Sequence, residues 1–126
     1  MVSRLFQKRI DVILSRLKGK NIIFYTKSAN FFGRESLGSR QIRGNGVLAL
    51  TNDILYFEMW KPKKQLQIFL SSIEGIETPK SHLGKTKFKP LLKIVFRNEK
   101  EELDSAAWFV RYLQKWKEII QKLIGN

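Results

Sequence analysis

Between Gly44 and Glu77 the chain carries three short apolar runs, each closed by a turn signal, and this spacing constrains the fold more than anything else in the sequence. Val47-Leu48-Ala49-Leu50 ends at Thr51-Asn52-Asp53. Ile54-Leu55-Tyr56-Phe57, with Met59 and Trp60, ends at Lys61-Pro62-Lys63-Lys64. Leu66, Ile68 and Leu70 then alternate with Gln65, Gln67 and Ser71. Runs of this length between polar turns fit strands better than helices, so the stretch predicts an antiparallel meander.

On either side of it the pattern changes. Val2, Leu5, Phe6, Ile10, Ile13, Leu14 and Leu17 recur at steps of three and four, which predicts an amphipathic helix from about Ser3 to Lys18, stopped at Gly19. Its apolar stripe can meet its own domain, a second copy of the chain, or a membrane interface. Ile22-Ile23-Phe24-Tyr25-Thr26 reads as a first strand, followed by a loop with two adjacent phenylalanines, Phe31 and Phe32. After the meander come a short strand around Gly75, a lysine-rich loop from Pro79 to Pro90, and a strand over Leu91–Phe96. An acidic turn at Asn98–Glu102, a strand over Ala106–Val110 and a helix from about Arg111 to Ile124 complete the order. Periodicity alone therefore implies an antiparallel β domain with terminal helices.

The central stretch resembles the GRAM domain and the bacterial domains of pleckstrin-homology type, which share one fold. The residues that carry the resemblance are Gly46, Leu48, Leu50-Thr51-Asn52, Leu55 and Phe57, then Ile68-Phe69-Leu70-Ser71-Ser72-Ile73. The resemblance implies a mainly β (α+β) fold: a seven-stranded, partly open antiparallel barrel with a C-terminal capping helix. The expected division is an N-terminal amphipathic helix over residues 1–20 and a pleckstrin-homology-like or GRAM-like domain over 21–126. In that fold Trp116 is an anchor of the core.

At 126 residues the chain suffices for one domain with one core, and without cysteine it can hold neither disulfides nor thiolate metal sites. No apolar run reaches bilayer length and no signal peptide is evident, so a cytoplasmic protein, peripheral at most to the inner membrane face, is expected. Net charge is the strongest global feature, at +13. Residues 1–43 hold ten basic and two acidic side chains, whereas residues 99–126 are balanced at five each. Such a field favours anionic partners: a lipid surface, an acidic protein or, less readily, nucleic acid.

The chemistry-bearing motifs are decoys. Gly84-Lys85-Thr86 lacks the upstream glycine of a phosphate-binding loop, and Gly44-Asn45-Gly46 leads into a strand where a dinucleotide fingerprint needs a helix. His82 is the only histidine, and nothing groups an acid, a base and a nucleophile. No enzyme activity and no cofactor are expected. The Glu99–Asp104 acids read as a solvated turn. In the implied barrel, the loops after the first and third strands bring Lys27, Arg34, Arg40 and Arg43 beside Lys61, Lys63 and Lys64 as an anion- or lipid-binding patch. Phe31 and Phe32 are either an apolar wedge that inserts into the bilayer or a plug at one end of the barrel. The acidic turn beside the patch would repel a phosphate, leaving diffuse attraction as the mechanism. A homo-oligomer through the first helix is a further expectation.

Overall fold

One strand is far longer than its sequence announces. The expected first strand ends at Thr26, but in the computed structural model β1 runs from Ile22 to Arg34. The structure describes residues 8, 11, 12, 15, 17, 21–38, 41, 43–60, 64–86 and 89–125. Three register shifts interrupt β1, two against the following strand, between Ile22 and Phe24 and between Thr26 and Ala29, and one against the last, between Phe31 and Gly33. Gly33, at φ +114, supplies the backbone freedom for the last of them. The shifts explain the missing signal: a strand so interrupted cannot keep a period of two, so Lys27 to Arg34 reads as a loop.

The meander forms where expected, as β2 (Gly44–Thr51), β3 (Ile54–Met59) and β4 (Gln65–Phe69). Thr51 closes the β2–β3 turn by accepting the Ile54 N–H at 3.1 Å and donating its hydroxyl to Asp53 at 2.8 Å. The remaining strands are β5 (Ile73–Glu77), β6 (Ser81–His82), β7 (Lys85–Thr86), β8 (Leu92–Arg97) and β9 (Leu103–Phe109), followed by helix α1 (Leu113–Leu123). The little β6–β7 hairpin lies within the stretch expected to be only loop. Its corner is Leu83-Gly84, both at positive φ, the conformation that suits a two-residue hairpin turn.

Seven strands make one open antiparallel sheet in the order β4-β3-β2-β1-β9-β8-β5. The protein is thus mainly β, barrel-like or sandwich-like, with helix α1 following the last strand. β1 is the hinge of this arrangement, pairing with β2 over Ile22–Phe31 and with β9 over Asn30–Arg34. The sheet curls around a core that includes Phe31, Leu48, Phe57, Ile68, Ile94 and Trp108, and α1 adds Trp116 and Ile120, both fully buried. The Trp116 ring lies 4.7 Å from that of Phe24.

The opposite face of β2 and β3 is also apolar. Val47, Ala49, Ile54 and Tyr56 form a second buried cluster there with Leu17. Burial on both faces is why β2 and β3 read as continuous apolar runs. The expected first helix, about Ser3–Lys18, lies mostly outside the described residues; of its apolar stripe only Leu17 is described, and it is 4% exposed. Among the described residues no helix is long and apolar enough to cross a membrane.

Candidate anion-binding surface

The long β1 relocates most of the expected patch. Arg34 does not project from a loop; it ends β1 and turns back onto its own fold. Its Nε donates to Asp104 at 2.8 Å and its Nη2 to Glu99 at 3.1 Å. Asp104 also accepts the Ser36 N–H and hydroxyl, at 2.9 and 2.7 Å, and the Ser105 N–H at 2.8 Å. Together these contacts fasten the end of β1 and the short 3₁₀ turn Glu35–Leu37 to β9, while Ser105 donates to Glu35 at 2.9 Å. Burial works against the Asp104 charge, but the Ser36 hydroxyl and the Arg34 guanidinium outweigh it and hold the carboxyl below the usual range. Burial likewise disfavours the Arg34 charge, and the two carboxylates more than restore it.

Two expectations are corrected here. Arg34 is neutralised by its own chain, so it is not a free anion ligand. Nor is Asp104 part of a solvated turn: it lies in β9 at 1% exposure, while Glu99, Glu101 and Glu102 are exposed as expected. No sequence signal distinguishes Asp104 from those neighbours except its single apolar flank, Leu103, which opens β9.

Of the two readings of Phe31 and Phe32, the inserting one is corrected. They do not form an inserting wedge, because β1 carries both into the interior, at 7% and 0% exposure. As neighbours on one strand they point to opposite faces of the sheet. Phe31 packs against Phe57 and Trp108, with ring centroids 5.0 and 5.6 Å away. Phe32 packs with Leu91 and Ala107 on the other side. The Arg43 guanidinium lies 4.2 Å from the Phe32 ring centre and covers it, a cation–π contact that orients an otherwise exposed charge.

Of the seven basic residues in the expected patch, Arg40, Lys61 and Lys63 lie outside the described residues. Arg43 and Lys64 lie at the same end of the sheet, just before β2 and β4. The turn after β3 is held against the start of β2 by the Trp60 N–H donating to the Asn45 carbonyl at 2.8 Å, and Met59 N–H closes the same turn onto the Lys64 carbonyl at 2.8 Å. Lys27 stands apart, exposed in the first half of β1. Between the β4 edge and the β8–β9 turn lies a cleft of about 520 Å³ bordered by Arg34, Gln67, Phe96 and Glu99. The two cations that line it are both paired, Arg34 with Asp104 and Glu99 and Arg97 with Glu74, so it does not form a cationic cradle.

Elsewhere, His82 is buried at 6% exposure and shares a 3.0 Å hydrogen bond with the Gly33 carbonyl. Burial lowers its pKa, opposed by the Gly33 carbonyl and reinforced by Lys93. Among the described residues no group of three His, Asp or Glu side chains is placed to hold a metal.

No family model and no curated protein matches the chain. Solved structures do. One, described as the C-terminal domain of an unknown protein from Leishmania infantum, aligns with a TM-score of 0.61 over 91% of this chain and 98% of that one, at 14% identity. Another is a chain of a structure described as the 8S snRNP assembly intermediate, with a TM-score of 0.58 over 82% of this chain and 79% of that one, at 5% identity. At such identities the likeness is one of fold.

Proposed function

We propose that the chain is a non-catalytic binding module of the pleckstrin-homology and GRAM type that associates peripherally with anionic membrane surfaces. The strand order and the terminal helix with its buried Trp116 agree with the arrangement that the resemblance implies. The observation that carries the reading is the one-sided charge of the Arg43–Lys64 end. The sequence from Ser36 to Asn52 and from Met59 to Ile73 contains five basic residues, Arg40, Arg43, Lys61, Lys63 and Lys64, and no acidic one. The two described members sit on adjacent loops, while the acids Glu99 and Asp104 are drawn to Arg34.

With Arg34 neutralised and the phenylalanines buried, the mechanism is electrostatic adsorption without a stereospecific pocket. Each basic residue near such a surface contributes about 1 kcal/mol, and salt screens the attraction. Co-sedimentation with vesicles of rising phosphatidylserine content, in low and physiological salt and with single-stranded RNA as competitor, tests it. Binding is expected to rise with anionic lipid and to fall at least about tenfold in an Arg43→Glu, Lys64→Glu protein. Retention of RNA with loss of vesicles at physiological salt would replace this reading with nucleic-acid binding.

A further inference from the structure

The pairing of β1 is unequal along its length. β2 lies beside it from Ile22 to Phe31, but β9 joins its other side only from Asn30 onward. Among the described residues, no strand pairs with that second side from Ile22 to Ser28. β9 would run along it if it continued straight. Instead the chain leaves the sheet at Val110 and turns into α1 through Tyr112, a non-glycine residue at φ +59. The departure opens a shallow cleft of about 680 Å³, lined on one side by Ile22 to Ser28 and on the other by Arg111 and Tyr112.

The lining has a definite chemistry. Ile23, Tyr25 and Lys27 alternate on one face of β1 and are exposed, at 38% and 43% for the first two. Tyr112, 75% exposed, and the exposed Arg111 face them across the cleft. An open strand edge presents backbone N–H and C=O groups that invite another strand, and a lysine there deters copies of the same basic chain. For an acidic strand the same lysine is an attraction. We infer that the first half of β1 is a docking edge at which an extended acidic segment of a partner protein adds as an extra strand, its carboxylates meeting Lys27 and Arg111 and its apolar residues meeting Ile23 and Tyr25. Main-chain hydrogen bonds would supply affinity, and the alternating side chains would supply selection. This surface lies apart from the Arg43–Lys64 end and does not depend on membrane binding.

The probe is a synthetic peptide, as long as this edge, in which glutamate alternates with valine. Titration is followed by anisotropy and by amide chemical shifts of the labelled full chain. Hydrogen-exchange protection at Ile22–Ser28 with shifts confined to that strand and Arg111–Tyr112, and binding lost when alternate peptide nitrogens are methylated, would support strand addition. A Lys27→Glu, Arg111→Glu protein is expected to bind the peptide about tenfold more weakly and to accept its lysine counterpart instead. Equal binding of the methylated peptide would overturn the proposal, since mere charge attraction needs no main-chain bonds. So would shifts centred on Arg43 and Lys64, or no binding at all. Vesicle binding by the same variant separates the two surfaces: its retention alongside lost peptide binding leaves the membrane reading intact.

Discussion

Replacing Asp104 with alanine tests whether the loop end of the domain is held by charge. The carboxylate is wholly buried and accepts from Arg34, Ser36 and Ser105, so its removal leaves the Arg34 guanidinium, whose side chain is only 16% exposed, with Glu99 as its remaining acidic partner. Breaking one side of a buried pair costs roughly 3–5 kcal/mol, and the surviving Glu99 contact places this case near about 3 kcal/mol. For a domain of this size that lowers the melting temperature by roughly 9–15 °C. Urea unfolding followed by tryptophan fluorescence reads the loss, and a cycle with Arg34→Ala should yield a coupling of about 1.5 kcal/mol or more. The carboxyl titrates below its unfolded value, near 3.9, so the unfolded chain takes up the proton first as pH falls. Its contribution is therefore complete above about pH 5 and is lost as the medium is acidified through the folded value. Asp104→Ala should flatten that acid limb. A loss below about 1 kcal/mol, with the two single losses simply adding, would refute the argument.

His82 gives a second pH dependence. Its folded pKa is depressed from about 6.5, so acidification through that value protonates the unfolded chain first and should lower the urea midpoint between pH 7.5 and 5.5; His82→Gln should remove the slope. Gly46→Ala should cost about 3 kcal/mol by urea unfolding, because its methyl carbon would lie 2.2 Å from the Glu58 carbonyl oxygen and 2.8 Å from both Met59 Cα and the buried Phe57 ring across the β2–β3 ladder. Tolerance within about 0.5 kcal/mol would mean the strands are farther apart than described.

The meander was legible because its signals are local. Thr51-Asn52-Asp53 closes a turn within three residues, and the apolar runs beside it need no partner to be read. Trp116 was legible for a related reason, since a helical stripe declares which side faces inward. β1 was not, because its second half is made a strand by β9 and bent by Gly33, and neither appears in a window of sequence around Phe31. The same cause misplaced the site. Arg34 reads as a free basic residue until Asp104 is brought beside it from 70 positions away. Phe31-Phe32 reads as one apolar unit in a loop, but as neighbours on one strand the two point to opposite faces and join two clusters. The β6–β7 hairpin could have been suspected from Leu83-Gly84, where a glycine follows an apolar residue between polar pairs.

That β1 belongs to both halves of the sheet also sets the order in which the protein can assemble. Its partner β2 follows closely and can pair while the chain is still being made, but Phe31 and Phe32 stay uncovered on one side until Leu103–Phe109 arrives. Closing so long a loop is slow compared with forming the hairpins of the meander. On the ribosome, then, a half-built sheet with two phenylalanines showing must wait for β9. The lysine at position 27 has work to do in that interval as well, keeping neighbouring copies apart along the open edge.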